Sequence, residues 1–355
     1  LLIPSFRRHS AVILSASRRN DEYKGKRKIK KPGNSMLAFW SVILVVILSI
    51  PVQANEKPLK QWVQEVKQEA VSAGISARTV EAALKGFTPN PKIIRLDRKQ
   101  PEGTLSFAQY MERVLPASRI NQGRRMYREN RRLLDKIGEE FGVQPRFIVA
   151  LWGIETNYGS NTGGFNIIPA LATLAYDGRR AEFFRDEMMK ALRIVDAGHI
   201  PLRHFKGSWA GAMGQSQFMP SSFLSYAVDY NGDGRKDIWK TKPDVFASIA
   251  NYLKNAGWND DETWGRRVQL PRGFNTKLAT REIKKPLSYW TQMGVRKADG
   301  SALPNRPELM ASIVYPGKEG EEAYLTYANY DRIMKWNRST YFATAVGTLA
   351  DAIGW

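Results

Sequence analysis

Apolar residues recur at helical spacing along most of the chain from Leu59 onward, and each run is bounded by recognisable stop signals. Trp62, Val66, Ala70 and Ala73 form one helical stripe that ends at Gly74; Ser76 then caps a second helix through Leu84. Pro89, Pro91 and Pro101 read as an extended connector. Helices are expected at Phe107–Val114 and, as one long Arg-rich element, at Ile120–Phe141. Further helices are expected from Pro145 to Gly159, at Pro169–Ala175 and at Ala181–Ala197, where Phe184, Met188, Leu192 and Val195 share a side. Pro220–Val228 and Asp244–Ala256 follow. From Trp264 to Tyr315 the period changes to short alternating segments (Arg267–Leu270, Ile313–Tyr315) with more Pro and Gly; helical pattern returns at Asp331–Trp336 and Thr340–Ile353. The expected class is α+β, mostly α. It divides into an N-terminal helical domain (55–120), a helical core (121–263), a small β-rich lobe (264–320) and a C-terminal helical part (321–355).

Ahead of all this lies a different pattern. A basic cluster, Lys24–Lys31, precedes an uninterrupted apolar run, Leu37–Ile50, and then Pro51-Val-Gln-Ala54. These are the charged, apolar and small-residue regions of a secretory signal, with cleavage expected after Ala54. The run is shorter than the roughly 20 residues that a bilayer span needs. The alternative is an uncleaved N-terminal anchor, the one route by which the chain would associate with the inner membrane.

One polar residue interrupts an apolar face. In the helix opened by Pro145, Ile148, Leu151, Trp152 and Glu155 fall on one side, so a carboxylate ends a stripe that should be buried. An apolar wall that keeps a Glu protonated near neutral pH is what a general acid in sugar chemistry requires. The structural alternative is a Glu paired with an Arg or capping a neighbouring helix. No other acid occurs before Asp177, so the two-carboxylate arrangement of ordinary glycosidases has no second member in a suggestive setting.

Composition narrows the chemistry further. The chain has 355 residues, 43% of them hydrophobic, and carries 54 Lys+Arg against 34 Asp+Glu, a net charge of +20. Residues 1–35 contribute +8 of this, which leaves +12 for 55–355 and an attraction to polyanions of any kind. The basic residues are dispersed and match no nucleic-acid-binding module, so no nucleic acid is expected. There is no cysteine, which excludes disulfides, thiolate catalysis and an acylated lipoprotein Cys. Of three histidines, only His199 and His204 lie outside the leader, and both read as structural. There is no Gly-x-Ser-x-Gly elbow and no Walker-type phosphate loop.

Two loops carry candidate binding chemistry. Gly207-Ser-Trp-Ala-Gly-Ala-Met-Gly214 has three glycines in eight residues, and Ser208, Gln215 and Gln217 supply neutral donors and acceptors suited to hydroxyls and acetamides. Asp229-Tyr-Asn-Gly-Asp-Gly234 has oxygen ligands at positions 1, 3 and 5 and Gly at position 6, the first half of an EF-hand loop. Position 12 is Lys240, so Asp237 or Asp244 would have to supply the missing charge; the alternative is a metal-free turn. Ca²⁺ is the expected structural ion, with no organic cofactor. Tyr158, Tyr252, Trp336 and Tyr341 lie near these polar loops and are the aromatic cleft candidates.

Gly153-Ile-Glu-Thr-Asn-Tyr-Gly159, the loop from Gly207 through Pro220-Ser-Ser222, the Asp-x-Asn-Gly-Asp-Gly loop, Asn251-Tyr-Leu-Lys-Asn-Ala-Gly-Trp258 and Trp336-Asn-Arg-Ser-Thr-Tyr-Phe342 together resemble the lytic murein transglycosylase B family over about 57–355. The resemblance implies a lysozyme-like catalytic core and non-hydrolytic cleavage of the N-acetylmuramic acid–β-1,4–N-acetylglucosamine bond of peptidoglycan, with 1,6-anhydro ends. It implies Glu155 as acid and then base, with the substrate's acetamide stabilising C1. Ser208, Gln217, Tyr252 and Asn337 then line the glycan cleft, and Asp229, Asn231, Asp233, the Arg235 carbonyl and Asp244 match the calcium loop. Tyr341-Phe342 departs from relatives that carry an aromatic hydroxyl at the second place. A monomer in the periplasm, acting on peptidoglycan glycan strands, is expected. The rival readings are a hydrolytic lysozyme-type muramidase and a non-catalytic peptidoglycan-binding protein.

Overall fold

The computed structural model describes residues 58–99 and 105–354. The basic leader and the expected signal segment, with its cleavage after Ala54, lie outside the described residues. No described helix is long and apolar enough to cross a membrane.

Four short helices come first: α1 (Leu59–Ser72), α2 (Ala77–Leu84), α3 (Pro91–Arg98) and α4 (Phe107–Val114). The Ser76 side chain accepts from the Thr79 N–H and caps α2 as expected. At Pro91 the expected extended connector is instead a helix, and Pro101 lies outside the described residues. Asn90 caps α3 by accepting from the Lys92 N–H, and Pro91 occupies its first position, where a missing N–H costs nothing; this proline starts a helix instead of preventing one. Asp97 of α3 is buried and takes ion pairs from Arg179 and Arg180, both at 2.7 Å.

The single helix expected over Ile120–Phe141 is two, α5 (Ala117–Glu129) and α6 (Arg131–Phe141). Asn130 divides them: its side-chain amide donates to the Met126 carbonyl at 2.7 Å, competing with the helix for that acceptor. Helix α7 (Pro145–Thr156) runs through the centre, and from Arg146 to Thr156 every residue but Glu155 is buried. Around it stand α8 (Ile167–Tyr176), α9 (Ala181–Asp196), α10 (Pro220–Tyr226) and α11 (Lys242–Asn255), with a two-residue antiparallel pair β1–β2 (Phe165–Asn166, Lys206–Gly207) beside the glycine loop. Phe184, Met188 and Leu192 of α9 are fully buried in the common core, with Val195 at its edge.

A five-stranded antiparallel sheet forms a second, smaller core. Its strands are β3 (Gly265–Gln269), β4 (Lys285–Pro286), β5 (Arg296–Lys297), β6 (Met310–Val314) and β7 (Ala323–Thr326), in the order β4-β6-β7-β3-β5, with α12 (Leu287–Gln292) packed against it. β7 lies past residue 320, so the sheet reaches further along the chain than the 264–320 stretch. Val268, Leu287, Trp290, Val295, Ile313 and Leu325 fill this core.

The chain then returns through α13 (Ala328–Trp336) and α14 (Thr340–Ile353). Gly347 of α14 lies directly under the Trp264 indole: a Cβ there would stand 2.1 Å from the ring. Trp264 also donates its indole N–H to Asp351 at 2.9 Å. The return helix is thereby locked against the base of β3.

Candidate active site

Glu155 is half-buried in the last turn of α7, and its Oε1 accepts a hydrogen bond of 2.6 Å from the Trp336 indole N–H. Trp336, the last residue of α13, is almost wholly buried, so the bond joins two elements far apart in the chain. Its ring packs on Tyr252 (centroids 4.6 Å) and Phe218 (5.2 Å), and Tyr252 packs edge-on to Tyr226 (4.7 Å). The Tyr252 hydroxyl donates to the Lys335 carbonyl at 2.8 Å, which fixes the end of α13.

A second set of rings approaches from α4. The Tyr110 hydroxyl lies within electrostatic reach of the Glu155 carboxylate; burial first, and then that carboxylate, push its pKa up. Tyr341 packs on Tyr110 (5.5 Å) and Phe107 (5.3 Å). Phe342 is buried in the core, so Tyr341 is the member of the pair that joins these rings. One aromatic group thus bonds Glu155 through Trp336, and the other lies within its electrostatic reach through Tyr110.

The glycine loop is folded on itself. Ser208 Oγ accepts from the Ala212 N–H (2.9 Å) and the Ala210 N–H (3.3 Å), and the Ser208 N–H donates to the Ala212 carbonyl. A Cβ at Gly207 would stand 2.2 Å from the Ala212 carbonyl oxygen, so only glycine allows this closure. Gln215 is consumed as a fastener: it accepts from the Trp152 indole and donates to the Trp239 carbonyl, both at 2.8 Å. Gln217, in a left-handed conformation (φ 49°), donates to the Gly214 and Thr162 carbonyls, and its side-chain oxygen has no partner among the described residues. Phe218, the next residue, is the one that touches Trp336 and Tyr252.

The structure therefore brings Glu155, Trp336, Tyr252 and Tyr341 into one constellation, with Asn337 beside Trp336, almost buried and accepting from the Ser339 N–H at 3.2 Å. Tyr158 does not join it. It is buried under α7, packed on Trp152, and its hydroxyl donates to the Arg119 carbonyl at 2.9 Å. Tyr110, Phe218 and Tyr226 were missed, because an aromatic at ordinary helical or loop spacing looks like any core residue.

In the acidic loop, Asp229 accepts from the N–H groups of Gly232, Asp233 and Gly234, and Asn231 accepts from Asp233. Asp233 accepts from the Arg235 N–H and pairs with its guanidinium at 3.5 Å. Asp244, fully buried, takes the Tyr230 and Asp237 N–H groups, while burial and the Asp229 charge push its pKa up. Among the described residues no three acidic or histidine side chains already converge as a ligand cluster. The donor chemistry nevertheless fits a hard divalent cation: all oxygen, three carboxylates and an amide in a glycine-turned loop, one carboxylate buried without a cationic side chain on it.

A helical core thus presents one half-buried glutamate beside aromatic rings. Comparison with known proteins identifies the class. The profile described as "Transglycosylase SLT domain" matches residues 58–351. Membrane-bound lytic murein transglycosylase B of Escherichia coli (strain K12) is 32% identical over 270 residues, 72% of this chain and 70% of that protein. SltB3 from Pseudomonas aeruginosa, solved in complex with NAG-anhNAM-pentapeptide, superposes with TM-score 0.81 at 42% identity, covering 84% of this chain and 80% of that one. The Escherichia coli lytic transglycosylase Slt35, solved in complex with calcium, gives TM-score 0.68 at 30% identity over 82% and 92%. The chain belongs to the lytic murein transglycosylase B family, and its core is lysozyme-like.

Leaving one partner of a buried hydrogen bond unsatisfied costs about 1–3 kcal/mol, so with Glu155 as the reacting acid, as proposed below, Trp336→Phe, which keeps the ring and loses the N–H, lowers kcat on cell-wall sacculi by about 5- to 150-fold. Turbidity clearance by variant protein that remains folded by circular dichroism measures this, and an unchanged kcat would show that the bond does not set Glu155.

Proposed function

We propose that the chain cleaves the MurNAc-β-1,4-GlcNAc bond of peptidoglycan glycan strands without water, leaving 1,6-anhydroMurNAc ends, with Glu155 acting alone. The observation that carries the reading is the setting of Glu155: one carboxylate, held by the Trp336 indole and walled by rings, at the end of a buried helix. The nearest later acid in the chain, Asp177, is engaged with Arg98 at 2.8 Å. As the C1–O4 bond breaks, the Glu155 proton passes to the leaving oxygen. The carboxylate so formed then takes the proton of the muramoyl 6-hydroxyl while that oxygen bonds to C1, which returns Glu155 to its starting state. The substrate's own acetamide steadies the positive C1, so no second carboxylate is needed. SltB3, solved with NAG-anhNAM-pentapeptide, supports this ligand class.

Ser208 holds the glycine loop in shape. Gln217, through its remaining oxygen, Asn337, and the Tyr252 and Tyr341 rings line the strand-binding cleft. Asp229, Asn231, Asp233, the Arg235 carbonyl and Asp244 would hold one calcium ion, which supplies rigidity to the segment between α10 and α11. We place the enzyme in the periplasm, delivered by the signal segment, as a monomer.

Glu155→Gln keeps the shape and removes the transferable proton; sacculus-solubilising activity falls by about 10²- to 10⁴-fold. Activity surviving the substitution would remove Glu155 from its role. For the ion, chelation with EDTA lowers the melting temperature by about 5 °C or more, restored by Ca²⁺ and not by Mg²⁺. A melting curve indifferent to both would make the loop a metal-free turn.

A further inference from the structure

The chain leaves Glu155 through an unusual turn. Asn157 (φ 50°), Tyr158 (φ 59°) and Gly159 (φ 83°) are all left-handed, three in succession. Glycine adopts this conformation freely and asparagine tolerates it, but a tyrosine there crowds its own Cβ against the backbone. Such a turn persists only where its surroundings over-determine it. Part of the hold is local, since the Asn157 and Tyr158 N–H groups return to the Gly153 and Trp152 carbonyls.

Ser160 adds hydrogen bonds to the Asn157 side chain and carbonyl, and the Thr156 hydroxyl oxygen accepts the Gly159 N–H. The long-range part of the hold comes from Arg119, in the first turn of α5. Its Nε donates to Asn157 Oδ1 at 3.4 Å, and its carbonyl accepts the Tyr158 hydroxyl at 2.9 Å. Its Nη1 donates to the Val114 carbonyl at the end of α4, the helix that carries Tyr110. One side chain and its own carbonyl thus grip two of the left-handed residues and tie them to the helix forming the other wall of the cleft. Arg119 is only 8% exposed and has no carboxylate partner among the described residues; all its hydrogen bonds go to neutral oxygens. A buried cation without a counter-charge is a poor device for stability alone.

We propose that Arg119 is a positioning residue for the reaction. It holds the left-handed turn that aims the Glu155 carboxylate and keeps that turn in register with the Tyr110 helix. This rests on the reading of Glu155 as the reacting acid. Lysine at this position keeps the charge but lacks the planar fork that reaches Asn157 and Val114 together. Asn157→Gly keeps the left-handed backbone and removes the oxygen that Arg119 grips.

The test compares wild type, Arg119→Lys, Asn157→Gly and the double variant on purified sacculi, with hydrogen-exchange mass spectrometry of the 155–160 segment alongside. In Arg119→Lys kcat falls by about tenfold or more, KM stays within about threefold, and exchange in 155–160 rises, since misplacement of a catalytic group by about 1 Å costs up to 10² in rate. The double variant loses less than the sum of the two single losses, because both substitutions break the Arg119–Asn157 contact, while Arg119→Lys alone gives up the Val114 bond and Asn157→Gly alone the bond to Ser160 Oγ. A folded Arg119→Lys with wild-type kcat and wild-type exchange would overturn the proposal while leaving the role of Glu155 intact. A Glu155→Gln control that keeps wild-type activity would instead strike at Glu155, and exchange would still report whether Arg119 holds the turn.

Discussion

The site depends on a carboxylate held at the end of an otherwise buried helix. Helix α7 is apolar enough to be a core element on every side, which leaves Glu155 as the one residue from Arg146 to Thr156 that is not buried. The Trp336 indole reaches that carboxylate from the other end of the described chain. The β lobe between them therefore has a structural consequence. It returns the chain so that α13 and α14 close over α7, with Trp264 seated on Gly347 to fix the closure. Everything between residues 264 and 326 can be seen as a spacer with its own core, held to the helical body by that indole and by Tyr324 against Phe107.

The polar groups near the acid divide into those that hold the frame and those left for a ligand. Gln215 and Thr156 belong to the frame: Gln215 binds the Trp152 indole, and Thr156 donates to the Gln215 carbonyl at 2.9 Å, stapling the glycine loop to α7. Neutral hydrogen bonds of this kind, buried and fully paired, rigidify without adding charge that would compete with Glu155.

Much of this was legible in the chain. Glu155 stood out because it broke a hydrophobic stripe, and helix ends marked by Ser76, Pro145 and Pro220 were where capping chemistry places them. The errors have physical causes. Proline at Asn90-Pro91 was read as a breaker, although behind an asparagine cap it starts a helix. Asn130 splits the long helix through a side-chain bond that periodicity does not register. Tyr158 reads as a cleft ring because it lies near the polar loops, yet the left-handed turn swings it into the core. Tyr110 was overlooked because its importance lies in a contact some 45 residues along the chain, and one helix face does not reveal what it will meet.

The central claim is that bond cleavage consumes no water, and digestion of purified sacculi in H₂¹⁸O measures this directly. The account predicts anhydro-ended fragments, lighter by one water than hydrolytic muropeptides and free of ¹⁸O at the new end. Fragments with reducing ends carrying ¹⁸O would contradict it and make the enzyme a hydrolase that uses the same glutamate.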